Sequence, residues 1–299
     1  MKPPVLIVCY RRPRNLELIL GVCENKSRDI FIFVDKTAQF DELNTEVCRI
    51  ANAHKNLTKK IHVMISDTNL GVRFAVPKAI NWALESCENL IVLEDDCIPN
   101  KFALEYFDKS VAEINQGVVL VSGSTLPNFP QRLVGYLYES KFPLIWGWAL
   151  TEASWAKIRP DRKIYLKDVC LGIVKNPRNI VPILYFYAAV IRVDRGLLKA
   201  WDSPVALRML IQNYMSIVPD CSVISNVGQD QVASHFKLKQ TTAETLVTKS
   251  GNQAPSTTKN SNDQLTRDLN RQIRREIYKM KFWHMLSPLK SLIIRSPES

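Results

Sequence analysis

Short apolar runs alternate with amphipathic stretches through the first half of the chain, and this rhythm restricts the fold more than any other feature. Val5–Val8, Ile30–Val34, Ile61–Ile65, Leu90–Leu93 and Val118–Ser122 each read as a strand. Runs this apolar and this short are expected where a strand is buried on both faces. The intervening stretches, Arg14–Asn25, Phe40–His54, Val72–Cys87 and Phe102–Glu113, carry apolar residues at helical spacing; in the third, Ala75, Ala79, Trp82 and Ala83 share a face. A βαβαβ rhythm predicts a parallel α/β sheet with crossover helices on both faces. Ligands of such sheets sit beyond the carboxyl ends of the strands.

One of those ends is chemically unusual. The run Asn89-Leu90-Ile91-Val92-Leu93 terminates in Glu94-Asp95-Asp96, followed by Cys97-Ile98-Pro99. Three adjacent carboxylates repel one another, so folding alone gives no reason to collect them there. A hard divalent cation does, because Mg²⁺ or Mn²⁺ is held by carboxylate oxygen and keeps positions open for substrate phosphates. Tyr10-Arg11 and Asp35 fall at the ends of the first two strands, so three strands deliver polar residues to one sheet edge. The chain has neither G-x-G-x-x-G nor G-x-x-x-x-G-K-[ST], which argues against dinucleotide-binding folds and P-loop NTPases.

Composition narrows the partners. Apolar residues make up 46% and charged residues 23%, as in a water-soluble domain, but the net charge of +11 points to an anionic partner. The seven cysteines are scattered without C-x-x-C pairs, which indicates neither a disulfide framework nor a zinc site and suits a reducing cytoplasm. The apolar run near Met1 is too short for a signal peptide, and no window is long and apolar enough to span a bilayer.

Several of these pieces, in this order, resemble the GT-A glycosyltransferases, in particular the branch containing N-acetylglucosaminyltransferase I and its bacterial relatives. The resemblance rests on Val5-Leu6-Ile7-Val8-Cys9-Tyr10-Arg11-Arg12, on Phe33-Val34-Asp35 with Gln39-Phe40-Asp41-Glu42, and on Asn69-Leu70-Gly71-Val72-Arg73. It continues through Leu93-Glu94-Asp95-Asp96, Trp146-Gly147-Trp148-Ala149-Leu150 and Ala200-Trp201-Asp202. It spans roughly residues 3–236 and is patchy between Lys157 and Lys199. It implies a Rossmann-like α/β fold: a mixed, mostly parallel sheet flanked by helices, with a C-terminal helical extension. Glu94-Asp95-Asp96 would be the DxD element in its EDD form. Asp96 would be the metal ligand, joined by His235, with Mn²⁺ or Mg²⁺ as cofactor. Cys9, Tyr10, Arg11, Asp35, Arg73 and Asp95 would line the nucleotide pocket, and Glu94 and Trp148 would meet sugar. Asp202 would be the catalytic base, with Asp194 and Asp220 in reserve. The implied activity is inverting transfer of a sugar, probed first as a UDP-sugar, from a nucleotide-sugar donor to a glycan or lipid-linked glycan acceptor in bacterial surface polysaccharide or lipopolysaccharide synthesis. This chain departs from the family's pattern after Trp201-Asp202, where Ser203-Pro204 follows, a context in which Asp202 also reads as a helix cap.

Beyond residue 238 the composition changes. Residues 1–238 read as the catalytic domain, 239–264 as a polar linker or lid, and 265–299 as a basic amphipathic helical tail. In the tail, Leu265, Leu269, Ile273, Ile277 and Met280 recur at helical spacing among arginines and lysines. That pattern predicts either an anchor on an anionic membrane through residues 265–295, placing the protein at the inner face of the cytoplasmic membrane, or a helix docked on the catalytic domain. Two further readings compete: a nucleotidyltransferase that makes activated sugars, and a non-enzymatic basic module on membrane or RNA. The first normally needs a glycine-rich loop after strand one, and no strip of interleaved aromatic and basic residues within the first 150 residues supports nucleic-acid binding.

Overall fold

The computed structural model describes residues 2–24, 27–125, 137–228, 254–256 and 263–279. In chain order the elements are β1 (Val5–Cys9), α1 (Pro13–Cys23), β2 (Ile30–Val34), α2 (Glu42–Leu57), β3 (Ile61–Ile65), α3 (Val72–Leu84), β4 (Asn89–Glu94), β5 (Cys97–Pro99), α4 (Ala103–Ser110) and β6 (Val118–Ser122). There follow β7 (Tyr138–Ser140), β8 (Trp148–Thr151), α5 (Glu152–Ile158), α6 (Leu166–Lys175), α7 (Ile180–Asp194), α8 (Asp202–Gln212), β9 (Met215–Val218), β10 (Ile224–Asn226) and α9 (Asp263–Lys279).

Among the described residues, eight strands form one sheet in the order β3-β2-β1-β4-β8-β6-β9-β7, and β5 pairs with β10 in a separate ribbon. β1 runs parallel to β2 and β4, and β6 parallel to β9, while β8 and β7 are antiparallel to their neighbours. The sheet is therefore mixed and mostly parallel, as expected from the sequence. The alternation of side chains along a strand divides β1 between two cores. Val5, Ile7 and Cys9 pack with Leu16, Ile19 and Val47 under α1 and α2, whereas Leu6 and Val8 pack with Ala75, Ala79 and Ile80 under α3. Both faces are covered, which is why these strands are continuously apolar.

Local chemistry sets the helix boundaries. Pro13 occupies the first turn of α1, where its missing N–H costs nothing. Asp41 caps α2 by accepting from the Asn44 N–H at 2.9 Å, so the helix starts at Glu42 rather than Phe40. Thr151 and Ser154 form a reciprocal capping box on α5.

The expected membrane-facing helix is corrected over its described part. Leu269 and Ile273 are buried against Tyr138, Val169, Ile183 and Leu210. Asn270 clasps β7, accepting from the Lys141 N–H at 2.8 Å and donating to the Glu139 carbonyl at 3.2 Å. Leu269 and Ile273, the described part of the stripe on α9, thus face protein, the second of the two arrangements its pattern allowed. Residues 280–295 lie outside the described residues, as does most of the expected linker.

Candidate active site

The chain moves from β1 to β2 and β3 on one side, then returns through α3 to place β4 on the other side of β1. The carboxyl ends of β1 and β4 therefore flank the point where strand order reverses, the place where open α/β sheets form a crevice. A cleft of about 340 Å³ opens there. Val8, Val72, Ala75 and Val76 give it an apolar wall, and Tyr10, Arg11, Arg12, Asn69, Lys199 and the acids Glu94–Asp96 give it polar ones.

The three adjacent acids have different surroundings. Asp95 is buried and structurally engaged: its carboxylate accepts from the Tyr10 N–H at 2.9 Å and from Arg12 Nη1 at 2.6 Å, while its carbonyl accepts from Asn15 Nδ2 at 2.8 Å. Burial pushes its carboxyl above the ordinary range and Arg12 pulls the other way. Asp95 therefore fixes the loop after β1. Glu94 is half-buried, and its carboxyl is pushed well up, first by burial and then by the charges of Asp96, Asp202 and Asp95; a hydrogen bond from Trp201 opposes this. Asp96 is the least committed of the three. Its carboxylate accepts only the weak Cys97 thiol at 3.3 Å among the described hydrogen bonds, while its carbonyl accepts from the Val227 N–H at 2.8 Å.

Asp202 sits at the first position of α8, reached through Trp201. Its side chain is open to water but lies in a concave setting dense with protein, and this desolvation raises its carboxyl; the N–H groups of Asp202 and Ser203 lower it. Its charge is felt by Glu94 and by Tyr185 of α7. Four carboxylates thus gather at one end of the sheet.

The remaining expected residues sort differently. Tyr10 and Arg11 line the cleft, with Arg11 paired to Asp41 at 2.8 Å. Cys9 is a buried wall residue whose thiol is pushed well up by burial, then by Asp95 and Cys48. Asp35 also reaches the cleft, but its oxygens accept from the Leu70 N–H at 2.8 Å and the Gly71 N–H at 2.9 Å, with Ser66 Oγ 3.2 Å away. It holds the entry to α3, where Gly71 adopts φ +69°, a left-handed conformation that favours glycine.

Two expectations are corrected. Arg73 does not line this cleft; it donates to the Val193 carbonyl, lies 3.4 Å from Asp194, and belongs to a neighbouring groove of about 810 Å³. Its position in the helix aims it toward the end of α7. Trp148 cannot meet sugar, because it is 0% exposed, stacked on Trp201 at 5.7 Å and packed near Trp155 at 6.2 Å. Gly147, at φ +65°, breaks the alternation, so Trp146 packs against the α1/α2 core while Trp148 enters the α3 core. His235 lies outside the described residues.

The structure also adds residues. Asn44 Nδ2 donates to the Tyr10 carbonyl at 2.7 Å and the Asp35 carbonyl at 2.9 Å, tying the loops after β1 and β2. Arg12, Lys199 and Gly228 line the cleft. No sequence signal marks Asn44; Lys199 stands close to Trp201-Asp202, a proximity that could have raised it.

Among the described residues, no group of three or more His, Cys, Asp or Glu is placed to hold a metal ion, so no all-protein cage exists there. Asp96 fits a more open arrangement. Its carboxylate is hard, half-exposed and scarcely hydrogen-bonded, and Mg²⁺ or Mn²⁺ commonly takes one or two carboxylates plus substrate phosphates. Gly228 keeps that space clear, since a Cβ there would fall well inside 3.0 Å of Asp96 Oδ2.

No family model matches the chain, and no curated protein sequence matches it. Among solved structures it is similar to the mannosyltransferase PcManGT from Pyrobaculum calidifontis, solved in complex with GDP-Man and Mn²⁺. That likeness has a TM-score of 0.38 at 15% identity, covering 52% of this chain and 46% of the other. The chain spans about half the length of that structure, and a likeness of this degree carries no weight for what the chain does.

Proposed function

We propose that the protein is a glycosyltransferase of the GT-A type, moving a sugar from a nucleotide-sugar donor to a glycan or lipid-linked glycan acceptor with a divalent cation at Asp96. The observation that supports this reading most is the convergence of Glu94, Asp95 and Asp96 on a cleft at the switch point that also presents Arg11 and Lys199, with Asp202 near enough for its charge to act on Glu94. Acids without cations would suit a bare ion, and cations without acids a simple anion site; a diphosphate held through a metal uses both.

In this reading the apolar wall formed by Val8, Val72 and Ala75 takes the nucleoside, with Tyr10 and Asn69 at its mouth. Arg11 and Lys199 face the diphosphate. Arg12 acts indirectly, by holding Asp95 and the β1 loop. Asp96 would be the carboxylate that holds Mn²⁺ or Mg²⁺, which when bound offsets negative charge on the departing diphosphate. Glu94, kept in place by the Trp201 indole, orients hydroxyls of the donor sugar. Asp202 accepts the proton of the acceptor hydroxyl as its oxygen bonds to the anomeric carbon. The bond from that carbon to the diphosphate oxygen breaks with its electrons on the diphosphate. Attack from the opposite face inverts the anomeric centre. Desolvation at Asp202 favours proton acceptance by making its carboxylate more basic.

Isothermal titration with UDP, GDP and CDP, with and without Mn²⁺, beside Asp96→Asn, tests the reading. Metal-dependent binding of one nucleotide that disappears in the variant is expected and names the donor class. A folded protein that binds none of the three overturns the proposal.

A further inference from the structure

The helices before the catalytic segment leave an apolar surface uncovered. On α6, Leu166, Leu171 and Val174 are 61%, 56% and 77% exposed; on α7, Ile180 and Leu184 are 39% and 46% exposed. Isolated exposed leucines are ordinary, but these lie on consecutive helices that pack against one another, and their inner faces bury Val169, Ile183 and Val190. The outward side chains are therefore not required by the core.

The charge around this face is one-sided. Residues 162–199 contain eight Lys or Arg and two acids. Both acids are engaged: Asp168 accepts from the Tyr165 N–H at 2.9 Å, and Asp194 lies 3.4 Å from Arg73. Lys163, Lys167, Lys175 and Arg178 are solvent-exposed, as is Lys199 at the cleft. Exposed aliphatic groups framed by unopposed cations match the chemistry of an anionic bilayer interface, where apolar side chains enter the acyl boundary and cations remain among the headgroups. A protein partner would be expected to meet an aromatic-rich, less charged centre.

The C-terminal helix leads to the same region. Arg274 of α9 donates to Asn179, the residue before α7, at 3.0 Å. The sequence that follows, Lys281–Arg295, contains Phe282, Trp283, Leu286 and Ile293 and no acid.

We propose that the outer face of α6 and α7 docks on an anionic lipid surface. The proposal differs from an anchor made by α9, whose Leu269 and Ile273 are buried, and it stands independently of the transferase reading.

Co-sedimentation of the full chain with phosphatidylcholine vesicles, with and without phosphatidylglycerol, tests it. The protein is expected to bind only the phosphatidylglycerol vesicles and to release as salt rises. Removing an aliphatic side chain from the interface should lower partitioning about tenfold. The combined variant Leu171→Asp, Val174→Asp and Leu184→Asp should therefore abolish measurable binding, and these exposed positions should leave the melting temperature unchanged. Lys167→Glu with Lys175→Glu gives a second measure, expected to weaken binding without removing apolar surface. Absence of binding by the unaltered chain overturns the proposal and leaves the face to a protein partner. Unchanged binding by the folded triple variant also overturns it, transferring the lipid contact to residues 281–295.

Discussion

Gly228→Ala separates the orientation of Asp96 from the stability of the fold. A Cβ at this position would meet Asp96 Oδ2 far inside the 3.4 Å where ordinary contacts begin, with Asn226 Oδ1 next at 3.1 Å. The nearest atom is the end of a short side chain, so the carboxylate turns rather than the backbone. Restoring contact requires a movement on the order of 1 Å, whereas metal–oxygen distances hold to within about 0.2 Å. Turning Asp96 off its rotamer costs about 0.5–1.5 kcal/mol. The lower entropy of an unfolded chain containing Ala in place of Gly returns about 0.4–1 kcal/mol. Net stability should therefore change by less than about 1 kcal/mol, or only a few degrees of melting temperature. Metal-dependent nucleotide affinity should fall about 10- to 100-fold, the range seen when the positioning of a ligand is disturbed. Thermal unfolding without ligand and titration of the preferred nucleotide with Mn²⁺ provide the two readouts. Full metal-dependent binding by a variant with an unchanged melting temperature would refute the reasoning, since Asp96 would then be indifferent to its own orientation.

Other substitutions probe different parts of the molecule. Asp202→Asn should lower turnover by at least about 100-fold while leaving donor binding intact, the mark of a lost proton acceptor. Its carboxyl is raised in the folded state above the ordinary 3.8, so the folded protein holds that proton more tightly and wild-type stability declines as pH rises through the interval. The Asn variant lacks this decline, so its melting temperature should gain on the wild type as pH rises above 3.8; a constant difference would count against the desolvated setting. Arg28 is buried with Asp108 on its two Nη atoms at 3.0 and 2.9 Å and the Pro3 carbonyl at 2.8 Å, so Asp108→Ala should cost about 3–5 kcal/mol in urea unfolding. A loss below about 1 kcal/mol would mean that Arg28 finds water. Of the seven cysteines only Cys170 is exposed, whereas Cys23 is pushed up to about 12 and Cys87 and Cys221 to about 11 by burial. A disulfide reagent at neutral pH should label Cys170 first, and rapid labelling of Cys23 on peptide mapping would contradict its burial.

The first half of the sheet was legible because strands covered on both faces have no polar residues to blur their pattern. β1, β2, β3 and β6 fall where their apolar runs predicted, and α3 begins at Val72 as expected. The second half was not. β7, β8, β9 and β10 are three or four residues long, too short for periodicity to separate from loop. At Trp146 and Trp148 a period of two would set both rings on one face, and the left-handed Gly147 sends them into different cores instead. The acidic triplet could be recognised, but not which member is pinned: that depends on Arg12 and the Tyr10 N–H, more than eighty residues away. Arg73 failed for the same reason, its partners lying on α7. The apolar stripe of α9 was visible, and what covered it was not.

The clasp made by Asn270 reaches beyond the fit of a helix. It bonds the carbonyl of Glu139 and the N–H of Lys141, the two groups that a parallel neighbouring strand would bridge with one of its own residues. β7 closes one end of the large sheet, and a side-chain amide stands there in place of the next strand. An unsealed edge is a template for other chains, able to recruit any extended segment that offers complementary backbone. Asn270 thus terminates a potential polymer. A chain shortened before α9, or carrying Asn270→Ala, would keep its cleft while gaining an adhesive margin. Its first defect would be a tendency to grow into assemblies under conditions in which the complete protein stays dispersed.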